Sequence, residues 1–170
     1  GYAQHGQGHD ALKCFEQMQS EGFVPDQVSF LCILSACSHS GLSFEAQMHF
    51  RNMMRKYGIA PNLEHHICMV MVFGSAGHFD DAMSVINTMP SSDHLEAWIV
   101  LLGACRKWRN VELGRYAFEH AVKLDIKEPA VYVCMFNIYA DAAMQDEANK
   151  VESMILANQG SHDNWWIEPD

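Results

Sequence analysis

Chemistry in this chain of 170 residues would have to come from its ten histidines, six cysteines and 21 carboxylates. His94-Leu95-Glu96 is the first half of a zinc-deaminase signature, in which a His and two thiolates hold zinc and the Glu shuttles protons. The second half, Pro-Cys-x-x-Cys, is missing, and only the isolated Cys105 and Cys134 follow. Glu96 has a simpler reading as an acidic side chain complementing the start of a helix. His65 and His66 are adjacent, so a helix sends them to different sides. His5 and His9 have the i,i+4 spacing that can set two imidazoles on one face, yet Asp10 is the one further ligand type beside them. Gly6-Gln7-Gly8 lacks the Lys-Ser/Thr continuation of a phosphate-cradling loop. No Ser or Cys has a base beside it in a recognisable nucleophile pattern. The expectation is a chain with no catalytic residues, no metal site and no cofactor. Cys14, Cys32, Cys37, Cys68, Cys105 and Cys134 lie far apart, among apolar neighbours and with no Cys-x-x-Cys. They read as buried thiols of a reducing compartment rather than as disulfides.

Whatever these residues do, a packed fold must position them. The chain is 49% hydrophobic and 19% charged, which is too apolar for disorder. No run approaches the roughly 18–20 apolar residues of a membrane span, so no membrane partner is expected. The net charge of −10 argues against coating nucleic acid by charge, because neutralising phosphate needs Lys and Arg. From residue 111 onward eleven acidic residues stand against four basic ones, so that end is expected to face protein. Gly1-Tyr2-Ala3-Gln4 carries no initiator Met, signal core or transit peptide. The chain therefore reads as a piece of something longer, whose location its own N-terminus does not give.

The elements come from a repeat. Ala11, Ala46 and Ala82 are aligned within three similar segments. These segments run from Gly6 to Asp26, from Gly41 to Asn62 and from Gly77 to Asp93. Gly114 and Ala148 continue the register in two weaker copies. Each copy reads as two helices. Val28–Ser38 is apolar and free of Pro; Gly41 then breaks it by reaching the left-handed region without steric cost. Ser43 is expected to cap the next helix, with Glu45 in its first turn and Phe44, Met48, Phe50 and Met54 as its apolar residues. Gly58 and Pro61 end it. The same punctuation predicts helices near 64–75, 79–88, 94–107, 111–124, 130–143 and 145–158, and no strand. A pair of about 35 residues cannot bury its apolar face alone, so the pairs must stack as a solenoid. The small residues Ala36, Ala76, Gly103, Ala104 and Ala140 are expected to let first helices approach closely.

These motifs resemble the pentatricopeptide repeat. The Trp-Leu-Gly-Tyr pattern of the tetratricopeptide repeat, a peptide-binding scaffold of the same period, is absent. Gly1-Tyr2-Ala3-Gln4-His5-Gly6 through Ala11-Leu12, Phe15, Met18 and Pro25-Asp26 is similar to the second half of such a repeat, with about nine residues missing from its first helix. Leu34 to Leu42 resembles the long variant of the land-plant "PLS" subclass. Glu64 to Val70 with Gly77 and Met89-Pro90 resembles the short variant. Trp98, Leu101-Leu102-Gly103-Ala104-Cys105-Arg106 and Asn110 to Gly114 resemble a first E-type motif, and Tyr132, Asn137-Ile138-Tyr139-Ala140 and Trp166-Ile167-Glu168 a second. Ala143-Met144-Gln145 stands where the second E-type motif has Gly-Arg-Trp. The implied boundaries are 1–26 for a truncated repeat, 27–62 long, 63–93 short, and 94–128 and 129–170 for two E-type helix pairs. The implied fold is an all-α, right-handed solenoid of antiparallel helix pairs.

By that resemblance the parent binds single-stranded RNA, mainly through upstream repeats, in a mitochondrion or chloroplast. Each repeat addresses one base through the fifth residue of its first helix and the last residue of the repeat. Those positions are Leu31 with Asn62 and Ile67 with Asp93, while Asp26 is the last residue of the truncated repeat. Asn62 and Asp93 have a second reading, as caps of the helices that follow them. Leu31 and Ile67 can pack on a base but have no group to read its edge. Arg51, Arg55 and Lys56 form one set of phosphate-contact candidates, and Arg106, Lys107 and Arg109, with Arg115 nearby, form another. Trp165, Trp166 and Ile167 are expected to cap the last pair or to contact a partner. The implied role is a non-catalytic adaptor in site-specific RNA processing such as cytidine-to-uridine editing, with a deaminase domain or another protein held by the E-type region. The alternative is a structural subunit docking by protein contacts in an organellar assembly such as a ribosome.

Overall fold

A computed structural model describes residues 2–89 and 94–163, with side chains over 6–89 and 94–160. The described residues form helices and no strand. The first five are α1 (Tyr2–Ser20), α2 (Gln27–Ser40), α3 (Ser43–Arg55), α4 (Leu63–Ser75) and α5 (Phe79–Thr88). Then come α6 (Leu95–Lys107), α7 (Val111–Leu124), α8 (Pro129–Asp141) and α9 (Gln145–Asp163). They fall into two compact units, Gly1–Ser92 and Asp93–Asp170. In the first, α2 packs on α1, α3 and α4, and α4 packs on α5. In the second, α6 packs on α7 and α8, and α8 on α9. The first helix of one pair thus lies against the first helix of the next, the nearest-neighbour stacking of a helical repeat.

The turn inside each pair is one structure made four times. The N–H of Leu42 donates to Cys37 O, that of His78 to Phe73 O, that of Asn110 to Cys105 O and that of Met144 to Tyr139 O, all at 2.9 Å. This six-to-one closure satisfies a carbonyl that the helix end would orphan, and it needs one left-handed residue. Gly41 and Gly77 supply it at φ of 72° and 76°; in the second unit Arg109 and Ala143 do, at 53° and 57°.

Each core is mainly apolar, with Ser38, Ser40, His49 and His65 buried among the apolar side chains of the first unit. Phe30, Ile33, Leu34 and Cys37 of α2 are buried with Met53, Met69, Val70 and Ile86. Phe30 packs on the rings of Phe15 and Tyr57 at 5.4 Å each, and Gln19 hydrogen-bonds the Tyr57 hydroxyl. In the second unit Trp98, Leu101, Leu102, Cys105, Met135 and Ile138 play the same part. Burying a side chain of this size is worth about 1.5–3 kcal/mol, so these faces rather than helix propensity hold the pairs together.

Several expectations are corrected. Gly1–Asp26 holds one continuous helix, α1, through Gly6-Gln7-Gly8, where a remnant of a first helix was expected. Gly8 is buried there, and a Cβ on it would stand 2.3 Å from Ser40 Oγ, so it serves close approach to α2 rather than a turn. Ser43 is the first residue of α3, and its cap position is Leu42, with no side-chain cap bond. The buried side of α3 is Ala46, His49 and Met53, whereas Phe44, Met48 and Met54 are exposed. Of the five small residues expected at first-helix contacts, only Ala104 is buried. Close approach falls instead to the second helices, where Ala46, Ala82, Ala117, Ala121 and Ala148 are fully buried and Gly114 meets Ile138. All six cysteines are free thiols. Cys37 and Cys105 are buried, which pushes their thiols up to about 11 and about 12. Cys14 and Cys32 are exposed, on a mostly apolar groove between α1 and α2.

Candidate nucleic-acid interface

The two residues before α2 and α4 do their local work first. Asp26 Oδ1 accepts from the backbone N–H and the hydroxyl of Ser29, at 2.8 and 2.9 Å, which lowers the Asp26 carboxyl from its ordinary value. Asn62 Oδ1 accepts from the His65 N–H at 3.1 Å. Each satisfies an orphan donor of the first turn, so the capping reading of Asn62 holds, and Asp26, for which no cap was expected, does the same work. The side chains of Asp26 and Asn62 are nonetheless exposed, and the bonds of Asn62 to His65 run through its side-chain oxygen and backbone N–H, not its amide nitrogen.

His65 is fully buried and ties this corner together. Its Nδ1 accepts from the Asn62 N–H at 3.1 Å, so its Nε2–H donates to Gln27 O at 2.9 Å. One imidazole thereby links the start of α4 to the start of α2. Spacing could not show this, because the partner lies 38 residues away.

Leu31 and Ile67 are the fifth residues of α2 and α4. Leu31 is half-buried and lines a groove of about 450 Å³ with Gln7, Ser35, Ala36 and His39. Ile67 is only 7% exposed. Leu31 therefore opens onto a surface, while Ile67 belongs to the core. Asp93, Trp165, Trp166 and Ile167 lie outside the described residues.

The two basic sets differ in the contacts their side chains make within the fold. Arg51, Arg55 and Lys56 are exposed along and just beyond the end of α3. Lys56 Nζ stands 5.2 Å over the Tyr57 ring, but that ring is committed to Phe30. At the α6–α7 turn Arg106 Nε meets Asp141 Oδ2 at 2.8 Å, so its charge is already answered within the unit. Arg115 Nε donates to Tyr139 Oη at 3.0 Å. Lys107 and Arg109 are exposed, and between them stands Trp108, 49% exposed, with Lys107 Nζ 5.5 Å over its ring. Trp108 was not among the sequence candidates; the signal was its place inside Arg106-Lys107-Trp108-Arg109.

The cap position of α6 is His94, with no side-chain cap bond, where Asp93 was expected, and Glu96 lies in the first turn, where an acid complements the helix start. Among the described residues no group of three His, Cys, Asp or Glu is placed to hold a metal ion. No helix among them is long and apolar enough to cross a membrane.

The profile of the PPR repeat matches this sequence three times, over residues 1–23, 28–57 and 66–94. The chain belongs to the pentatricopeptide repeat family. A chloroplastic pentatricopeptide repeat-containing protein of Arabidopsis thaliana is 41% identical over 172 residues, covering 99% of this chain and 20% of the relative. A mitochondrial one from the same plant is 39% identical over 153 residues, covering 90% and 24%. A putative one is 36% identical over 174 residues, covering 99% and 40%. The similarity thus continues past the three profile matches into the second unit. The pentatricopeptide chain spans about a fifth to two-fifths of the length of these relatives.

Proposed function

We propose that this chain is the C-terminal part of an organellar RNA-binding pentatricopeptide protein. It acts as a non-catalytic adaptor in site-specific RNA processing such as cytidine-to-uridine editing. The observation that carries the reading is the run of three PPR repeats, with relatives named chloroplastic or mitochondrial. In this reading residues 1–26 close a truncated repeat, 27–62 are a long repeat, 63–93 a short one, and 94–128 and 129–170 two E-type pairs.

A base enters beside Leu31 and Asn62, stacking on the aliphatic side chain while the Asn62 amide reaches its edge. Asp26 and Asp93 hold the corresponding last-residue positions. Ile67, nearly closed to solvent, contributes little, so base discrimination by this chain is weak. Arg51, Arg55 and Lys56 support the phosphates. The acidic second unit, with Trp165, Trp166 and Ile167 at its end, presents a deaminase domain or another protein partner.

Binding of the chain to short single-stranded RNAs at 50 and 200 mM salt tests the reading, these concentrations bracketing the range over which phosphate contacts lose affinity. Binding that falls with salt and varies little with base sequence supports it. Absent or salt-insensitive binding overturns it. It would favour the structural-subunit alternative, to which the buried Ile67 and the acidic second half already lend support.

A further inference from the structure

The four turns that close the helix pairs share one backbone but not one surface. Small residues occupy the last two places in three of them: Ser40-Gly41, Ala76-Gly77 and Ala142-Ala143. The α6–α7 turn has Trp108-Arg109 there, preceded by Lys107. Backbone hydrogen bonds close this turn. Trp108 N–H donates to Ala104 O at 3.0 Å, Arg109 N–H to Arg106 O at 3.2 Å and Asn110 N–H to Cys105 O at 2.9 Å. Asn110 Oδ1 then caps α7 through the Leu113 N–H at 3.1 Å.

We propose that this turn is a stacking site for a single-stranded RNA segment, with a base on the Trp108 indole and the flanking phosphates on Lys107 and Arg109. The proposal rests on the RNA-binding reading above and places a contact in the unit whose charge otherwise argues against one. Two features select this occupant. A half-exposed indole flanked in sequence by two exposed cations, one of them already over its ring, offers both of the attractions that hold single strands, stacking and phosphate neutralisation. An acidic peptide would use the cations but has no need of the ring. The fixed turn also costs no ordering of the backbone when the strand arrives. Arg106 stays with Asp141 and is not part of the site.

Arg109 gives a test that loss of folding cannot imitate. Its φ of 53° suits glycine better than arginine, so Arg109→Gly should raise the melting temperature of the chain while weakening RNA binding. The probes are a mixed-sequence single-stranded 12-mer RNA, its duplex and polyglutamate. Trp108→Ala and Trp108→Leu should each weaken binding of the single strand about five- to hundredfold, the range of one lost stack, while Trp108→Phe retains most of it. Arg109→Gly should lower the salt slope by about 0.7, the share of one phosphate contact on a single strand. Single-strand binding by the chain that is untouched at Trp108 would overturn the stacking site and leave the RNA reading standing. Binding of polyglutamate that Trp108→Ala weakens equally would make the turn a protein contact. Absence of all RNA binding would remove both readings.

Discussion

His49 is the residue whose charge state bears most directly on stability. It is buried on α3, its ring edge-on to Phe15 at 5.0 Å. Burial lowers its tendency to protonate below the ordinary value, and Glu16 and Glu45 pull it partly back. The folded chain therefore refuses a proton that the unfolded chain accepts, so the stability tied to neutral His49 is present above pH about 6.5 and lost as pH falls below it. Urea melts between pH 7.5 and 5 should show declining stability, and His49→Gln should flatten part of that decline. A slope unchanged by the substitution would assign the effect to other histidines. His65 shows how far a residue's role can lie from its spacing: in the sequence it is half of an adjacent pair, in the fold a tie between two helix starts. Asn62 is legible as a cap, because a short polar side chain just before a helix can satisfy an orphan donor of its first turn.

The elements were legible almost to the residue. Seven of the predicted helices begin within one residue of the observed ones and six of them end within two, α9 running five residues further, because Gly, Pro and capping residues act on their own few neighbours. The failures have a different cause. The wrong face was chosen for α3 because methionine and phenylalanine are long enough to lie along a surface, whereas the contact is made by Ala46. α1 runs through Gly8 because the helix packs closely on Ser40 there. Gly8→Ala should accordingly destabilise the first unit by about 1–3 kcal/mol, despite alanine's better helix propensity, with the drop read from thermal melts. At the turns the sign reverses. Ala143→Gly should stabilise the second unit by up to about 1 kcal/mol by relieving a left-handed alanine, offset in part by the greater freedom of glycine when unfolded. Denaturant midpoints would measure it.

At the scale of the whole molecule, stability is a sum of pairs and of contacts between neighbouring pairs. Leu34 is fully buried in the first unit and Leu102 in the second. Leu34→Ala should cost about 2–5 kcal/mol and lower hydrogen-exchange protection in α1 to α5 well before α6 to α9; Leu102→Ala should do the opposite. Equal loss of protection throughout would mean that the two units unfold as one. Charge also belongs to this scale. The net −10 describes the chain as a whole, yet the α6–α7 turn carries cations around an exposed indole within the more acidic half.

The sequence by itself determined the helix pairs after α1 and the repeat, since both rest on punctuation and periodicity within about 35 residues; the family came from the resemblance of its motifs, which the repeat profile matches. Only the tertiary structure decided which side chains meet solvent. It closed Ile67, opened Cys14, Cys32 and Trp108, answered Arg106 with Asp141 and seated His65 against Gln27. Exposure is fixed by what packs from another helix, and that partner is usually tens of residues away, beyond the reach of any local pattern.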